Sequence, residues 1–278
     1  MTTTAAEAPA PVDGVPAGTP TVPSRVLAPG ASVRTVVAPL VFGAVVVGLW
    51  QVLVTALDID PYVVPAPSAI IAEVVDNLGS VTSGAVHTGL NALLGLVIGT
   101  LLAVVAAVLA SVVKVLDALA APVVAALSVM PIVALAPVLY TLYGASVETA
   151  RVLVAALAVL IPVYVNTLRG LRQTRAVHRD LMRAYAATPA QQQWAVTLPT
   201  AAPYLFTGLR IASSLAVISA LVAEYFGGPI GGLGKSITSA ASSSNYPLAW
   251  AYVLGAIVLG LVFYCVALAV ERLATRHR

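Results

Sequence analysis

Long apolar runs with few charges, separated by short polar breaks, make up most of the chain. Runs at 36–57, 85–113, 116–143, 152–168, 204–225 and 248–270 approach or exceed the ~20 apolar residues that carry a helix across a bilayer. They predict an all-α, polytopic membrane protein with six transmembrane helices. The third run is interrupted by Pro122, Pro131 and Pro137. Breaks at membrane depth are tolerated where protein or a water-filled path receives the freed carbonyls. In the second run Gly95 and Gly99 stand four apart, a spacing that lets two helices approach closely. After the first run the chain is extended through Pro65 and Pro67. Ser68 is then placed to cap a short helix with Ile70, Ile71, Val74, Val75 and Leu78 on one face. Residues 227–234, G-G-P-I-G-G-L-G, read as a tight loop.

One break is of another kind. Residues 180–199 read D-L-M-R-A-Y-A-A-T-P-A-Q-Q-Q-W-A-V-T-L-P, too polar to cross lipid. Thr188 and Gln191 have the spacing of a capping box, in which each side chain bonds the other residue's backbone N–H. Pro189 falls at the first helical position, where a missing N–H costs nothing. Leu198-Pro199 is expected to end the segment, because proline disfavours helix at the residue before it. The pattern predicts a short helix over about 189–197 and another over about 177–187, together a stiff elbow between two spans.

Composition fixes the solvent. The chain has 278 residues, 60% hydrophobic and 9% charged, against about 25% charged in soluble domains. A net charge of +3 is too small and too scattered for nucleic acid; it bears on sidedness. Both termini of a six-span chain lie on one side. Arg25, Arg34, Lys114, Arg169, Arg172, Arg175, Arg179, Arg183, Arg272, Arg276 and Arg278 fall there, against Arg151 and Lys235 opposite. The excess of positives predicts a cytoplasmic elbow and cytoplasmic termini. Residues 1–33, rich in Ala, Pro and Thr and without a secretory pattern, are expected to be a disordered cytoplasmic tail. The membrane domain is then 34–278.

Little in the sequence suggests chemistry. The single cysteine, Cys265, allows no disulfide framework or cysteine-based metal site within one chain. No Gly-rich phosphate loop is present, so the chain is expected to be no enzyme and to bind no cofactor itself. His87, His178 and His277 are isolated, whereas metal sites need several ligands. Glu224 has two readings: it lines the outer mouth of a path, or it sits in water at the interface. Arg210 is expected to reach the headgroups or to pair with Asp180.

The elbow, taken with the text after it, resembles the cytoplasmic coupling loop of binding-protein-dependent ABC importer permeases. That family's loop reads E-A-A, three residues, G, nine residues, I, one residue, L-P. Counting back from Leu198-Pro199 places Val196 at the Ile position, Ala186 at the Gly, and Asp180, Leu181 and Met182 at E-A-A. The following T-L-P-T-A-A-P-Y-L-F-T-G-L-R resembles the branch that includes permeases for nitrate, sulfonate, taurine and thiamine precursors.

The resemblance implies a translocation path between two permease copies and a coupling loop over about 170–199 that docks on an ATPase subunit. Its expected contact residues are Asp180, Arg183, Tyr185, Ala186, Thr188, Pro189, Gln191, Leu198 and Pro199. ATP and Mg would sit on that partner, with a solute-binding protein outside, lipid around the spans and a homodimer as the working form. Met130-Pro131 through Pro137 resembles the family's proline-bearing stretch; Met130, Tyr140, Tyr143, Asn166 and Glu224 are the path candidates, with simple packing as the alternative. Ala186, standing where the family has glycine, is predicted to be right-handed helical. The text around Glu224 and 232–234 looks closer to permeases for thiamine-precursor pyrimidines or riboflavin than to those for sulfonates. An ion-coupled secondary transporter, which would show inverted repeats and deep carboxylates, and a membrane scaffold are the other readings.

Overall fold

The computed structural model describes residues 33–144, 147–229 and 231–276. Every regular element among them is a helix. The tail expected over residues 1–33 lies almost wholly outside the described residues, as do His277 and Arg278. The chain divides after Val46 into two units. In the first, the described part is the opening of α1 (Val33–Ala56), whose Leu40, Val41 and Phe42 side chains are exposed.

The second unit holds the rest. After α1 come α2 (Pro67–Asp76) and α3 (Leu78–Val112). The third apolar run is a bent pair: α4 (Lys114–Val129) meets the segment Ile132–Tyr143, a 3-10 turn running into α5 (Ala136–Tyr143), at 88° across a break at Met130-Pro131. Then follow α6 (Thr149–Leu171), α7 (Ala176–Ala184), α8 (Pro189–Gln192), α9 (Leu198–Phe226), α10 (Leu233–Ser242) and α11 (Tyr246–Thr275). Among the described residues five helices are long and apolar enough to cross a membrane, and six when the bent pair counts as one span. This is the all-α multi-span architecture that the apolar runs predict.

The core is α3, α6 and α9, joined through small residues. Ala92, Ala103 and Ala107 meet Ala155, Val159 and Val163, with Ala212, Ala216 and Ala220 completing the cluster. With no hydrophobic drive between helices in lipid, close packing of small side chains supplies the attraction. Gly95 and Gly99 act as their spacing predicts. A Cβ at Gly95 would strike Ala155, and one at Gly99 would strike the Ala156 carbonyl. Large apolar residues point outward instead, such as Leu101 on α3 and Leu261 on α11.

Two local expectations fail. Ser68 is not a cap: α2 begins after Ala66, and the Ser68 N–H donates to Gln51 Oε1 at 3.0 Å, tying α2 to α1. Ile70 of the expected apolar face is buried, but Ile71 and Val75 are exposed. Residues 227–234 are only in part a loop, because α10 starts at Leu233 and runs to Ser242. Its serine-rich sequence has no long apolar stripe, so periodicity does not announce it.

Candidate functional site

The elbow is built almost wholly from local signals. Its first helix, α7, ends in a Schellman motif: the Ala187 N–H donates to the Met182 carbonyl and the Ala186 N–H to the Arg183 carbonyl, both at 2.9 Å. That closure needs a left-handed residue at Ala186, and its φ is 51°. The right-handed geometry predicted for Ala186 is therefore wrong. Alanine accepts the strain because the two bonds, made by neighbouring turns, fix the backbone there.

Two residues on, the capping box forms as the sequence predicts. Thr188 N–H donates to Gln191 Oε1 at 2.8 Å, and Gln191 N–H to Thr188 Oγ1 at 3.3 Å, with Pro189 in the first turn. The expected stop at Leu198-Pro199 does not occur. Gln193–Thr197 widens into a π turn that runs straight into α9, of which Pro199 is the second residue. A wide turn moves the preceding carbonyl away from the proline ring, which would otherwise break a helix.

Of the expected contact residues, Tyr185 is 75% exposed. Asp180 and Arg183 pair with each other at 3.5 Å on the surface. Arg210 does not pair with Asp180; it pairs with Glu271 near the end of α11 at 3.3 Å, half-shielded. Trp194, not singled out from sequence, is 76% exposed beside the capping box. Its position in a polar run hides it from periodicity, and only its exposure reveals it. Between α7 and the start of α9 lies a groove of about 430 Å³ lined by His178, Leu181, Met182, Val196 and Pro199.

The path candidates divide. Met130 and Asn166 come together in an open cavity of about 550 Å³ beside the proline break, with Ser128 and Ser219 as the other polar lining and apolar residues elsewhere. The Asn166 amide donates to the Pro162 carbonyl at 2.8 Å. Tyr140, Tyr143 and Glu224 do not line this cavity. Tyr143 is exposed at the end of α5, whereas Tyr140 is buried against α9, its hydroxyl 3.3 Å from the Ala223 carbonyl. Glu224 is 0% exposed, which contradicts both a position at an open mouth and one in interfacial water.

Glu224 belongs instead to a buried ion cluster at the end of the bundle away from the elbow. Its carboxylate accepts from the Gly234 N–H at 2.7 Å and from the Thr88 hydroxyl at 3.0 Å. The same Thr88 oxygen accepts from the Leu233 N–H at 2.9 Å. Arg151, counted from sequence as an outer-loop charge, lies in α6 with its side chain 0% exposed, 3.9 Å from Glu224 and 2.8 Å from Glu148. Its guanidinium also donates to the Pro229 carbonyl at 2.6 Å. Burying ions is costly unless each is paired and hydrogen-bonded, and here both are. One hint is visible along the chain, an acidic residue followed by a glycine-rich loop. Its partner, on another helix, left no local trace. Among the described residues no group of three or more His, Cys, Asp or Glu side chains gathers to hold a metal.

A bundle of apolar helices with a stiff polar elbow and a side cavity at a proline break defines a polytopic membrane protein. Residues 95–276 match the family described as "Binding-protein-dependent transport system inner membrane component". The chain belongs to that family, the permeases of ABC importers. It is 32% identical over 232 residues to the riboflavin transport system permease protein RibX of Chloroflexus aurantiacus, covering 82% of this chain and 85% of that one. It is 28% identical to a probable ABC transporter permease protein of Haemophilus influenzae, over 81% of this chain and 91% of that one. It is also 28% identical to the formylaminopyrimidine transport permease protein ThiX of Halalkalibacterium halodurans, over 68% of this chain and 75% of that one. The crystal structure of an amino acid ABC transporter shares the fold at a TM-score of 0.59 and 18% identity, over 71% of this chain and 95% of that chain.

Proposed function

We propose that this permease works as a homodimer, takes its drive from two ATPase subunits gripping the elbow, and receives a solute from a binding protein docked at the opposite end. The observation that carries the reading is the elbow's stiffness. A Schellman closure, a capping box and a continuous entry into α9 leave no slack between the exposed Tyr185 and Trp194 and the helix that crosses the core. A rigid lever transmits a push, and a loose loop absorbs it. Asp180, Arg183 and Gln191 are the polar contacts offered to the ATPase; ATP and Mg bind on that partner.

The elbow and both termini face the cytoplasm in this reading. Lys114, Arg169, Arg172, Arg175, Arg179, Arg183, Arg272 and Arg276 gather toward the elbow end, and the opposing Arg151 is buried and paired. The solute is a small, uncharged, polar heterocycle. The cavity at the break offers neutral Ser128, Asn166 and Ser219 and no charged side chain, and two of the relatives are named for riboflavin and formylaminopyrimidine. Relatives named for aliphatic sulfonates and taurine make an anion the competing choice.

Co-purification with an ABC ATPase subunit from the same organism tests the drive. Binding should be lost on Asp180→Arg and on deletion of 189–197. Retained binding after both changes would remove the elbow from its role.

A further inference from the structure

Arg151 is the largest wholly buried side chain among the described residues, and Glu224 is the third. Apolar residues of similar volume commonly replace a buried ion pair at no loss of stability, so stability alone does not account for the pair. Position does. Glu224 stands near the far end of α9, whose first turn is the exit from the elbow. At 1.5 Å per residue, α9 is a rod about 40 Å long between the two.

The ion cluster gathers at that far tip. Glu224 holds the first turn of α10 through the Gly234 N–H, and α3 through Thr88. Arg151 holds the loop through the Pro229 carbonyl, and its Nε lies 3.4 Å from the Tyr140 hydroxyl on the bent half-span α5. The glycines of the loop fit the cluster closely. A Cβ on Gly228, where φ is 103°, would stand 2.6 Å from Arg151 Nη2; one on Gly232 or Gly234 would collide with Glu224.

We propose that Arg151 and Glu224 are positioning residues of the transport cycle. They lock the 227–234 loop, α10 and the bent half-span to the tip of α9, so that a push at the elbow moves the far end as one block. The role rests on the reading of the elbow as the drive site. A directional lock needs groups that bond in one arrangement only, and a planar guanidinium on a loop carbonyl supplies that where a methyl surface would slide.

The test uses the complete complex with its ATPase subunits, in a Cys265→Ser background with Lys235→Cys on α10 as the reporter. The rate at which an impermeant maleimide labels Lys235→Cys is read with and without a nonhydrolysable ATP analogue. With the lock intact, nucleotide changes that rate. In Arg151→Gln/Glu224→Gln, which removes both charges at similar shape, the nucleotide response falls to about a fifth or less, the low end of usual inter-site coupling, while ATP is still hydrolysed. An undiminished response in the double variant overturns the proposal and leaves the elbow reading standing. No nucleotide response with the lock intact overturns the elbow reading itself. Should the double variant fail to assemble, hydrogen exchange in the unaltered complex decides. The Leu233 and Gly234 amides should stay equally protected with and without nucleotide; faster exchange on nucleotide binding means that the lock opens, which overturns the proposal.

Discussion

At Ala186 a family pattern, a backbone angle and an energy meet in one residue. The Schellman closure of α7 demands a left-handed residue, and the chain supplies alanine at a φ of 51°. A Cβ in that conformation costs about 1 kcal/mol. Ala186→Gly should therefore raise the thermal unfolding midpoint of the purified permease, with a gain of about 1 kcal/mol; an unchanged or lower midpoint would mean that the strain is not stored there. Thr188→Ala has the opposite sign. Loss of the capping box should cost about 1 kcal/mol, read locally as faster hydrogen exchange of the Gln191 amide. The capping box was legible because its two residues sit three apart and need nothing else. Ala186 was not, because its angle depends on two bonds closing over it. Arg151 was misread for a similar reason: its charge suggests a loop, and only α9, α5 and the 227–234 loop reveal a buried partner.

Among the elements, the π turn at Gln193–Thr197 sets the angular relation between α8 and α9. Inserting one alanine between Gln192 and Gln193 adds a helical residue ahead of that turn and should rotate the capping box by about 100° relative to α9. Binding of the ATPase subunit should then fall while the permease remains folded, as judged by an unchanged thermal midpoint. Full retention of binding would show that the face presented by the elbow is immaterial. The spans were readable from the sequence because the length of an apolar run is written directly in the chain. The bend at Met130-Pro131 was readable for the same reason, since proline acts on its own neighbours. Residues 233–242 are not legible because that short serine-rich helix is held by Glu224 across the intervening loop and by Thr88, which is far away in sequence. The end of the elbow at Pro199 was misplaced because a wide turn, which no residue type announces, lets the helix continue.

Across the whole molecule, the fold is an alanine- and glycine-packed core of α3, α6 and α9, with an exposed polar elbow near one end and buried ions near the other. Its orientation is open to direct test. In a Cys265→Ser background, Trp194→Cys should react with an impermeant maleimide only from the cytoplasmic side, and Lys235→Cys only from the outside. The reverse pattern would invert the arrangement. Family membership and fold make the chain an importer permease; the claim that matters most is how it is driven. The most direct measurement is uptake of labelled riboflavin and of labelled taurine into vesicles carrying the permease, its ATPase subunits and its solute-binding protein. Uptake of one of them should require ATP on the elbow side and vanish when 189–197 are deleted from an otherwise folded permease. Uptake that continues without ATP, or that survives that deletion, would contradict the account.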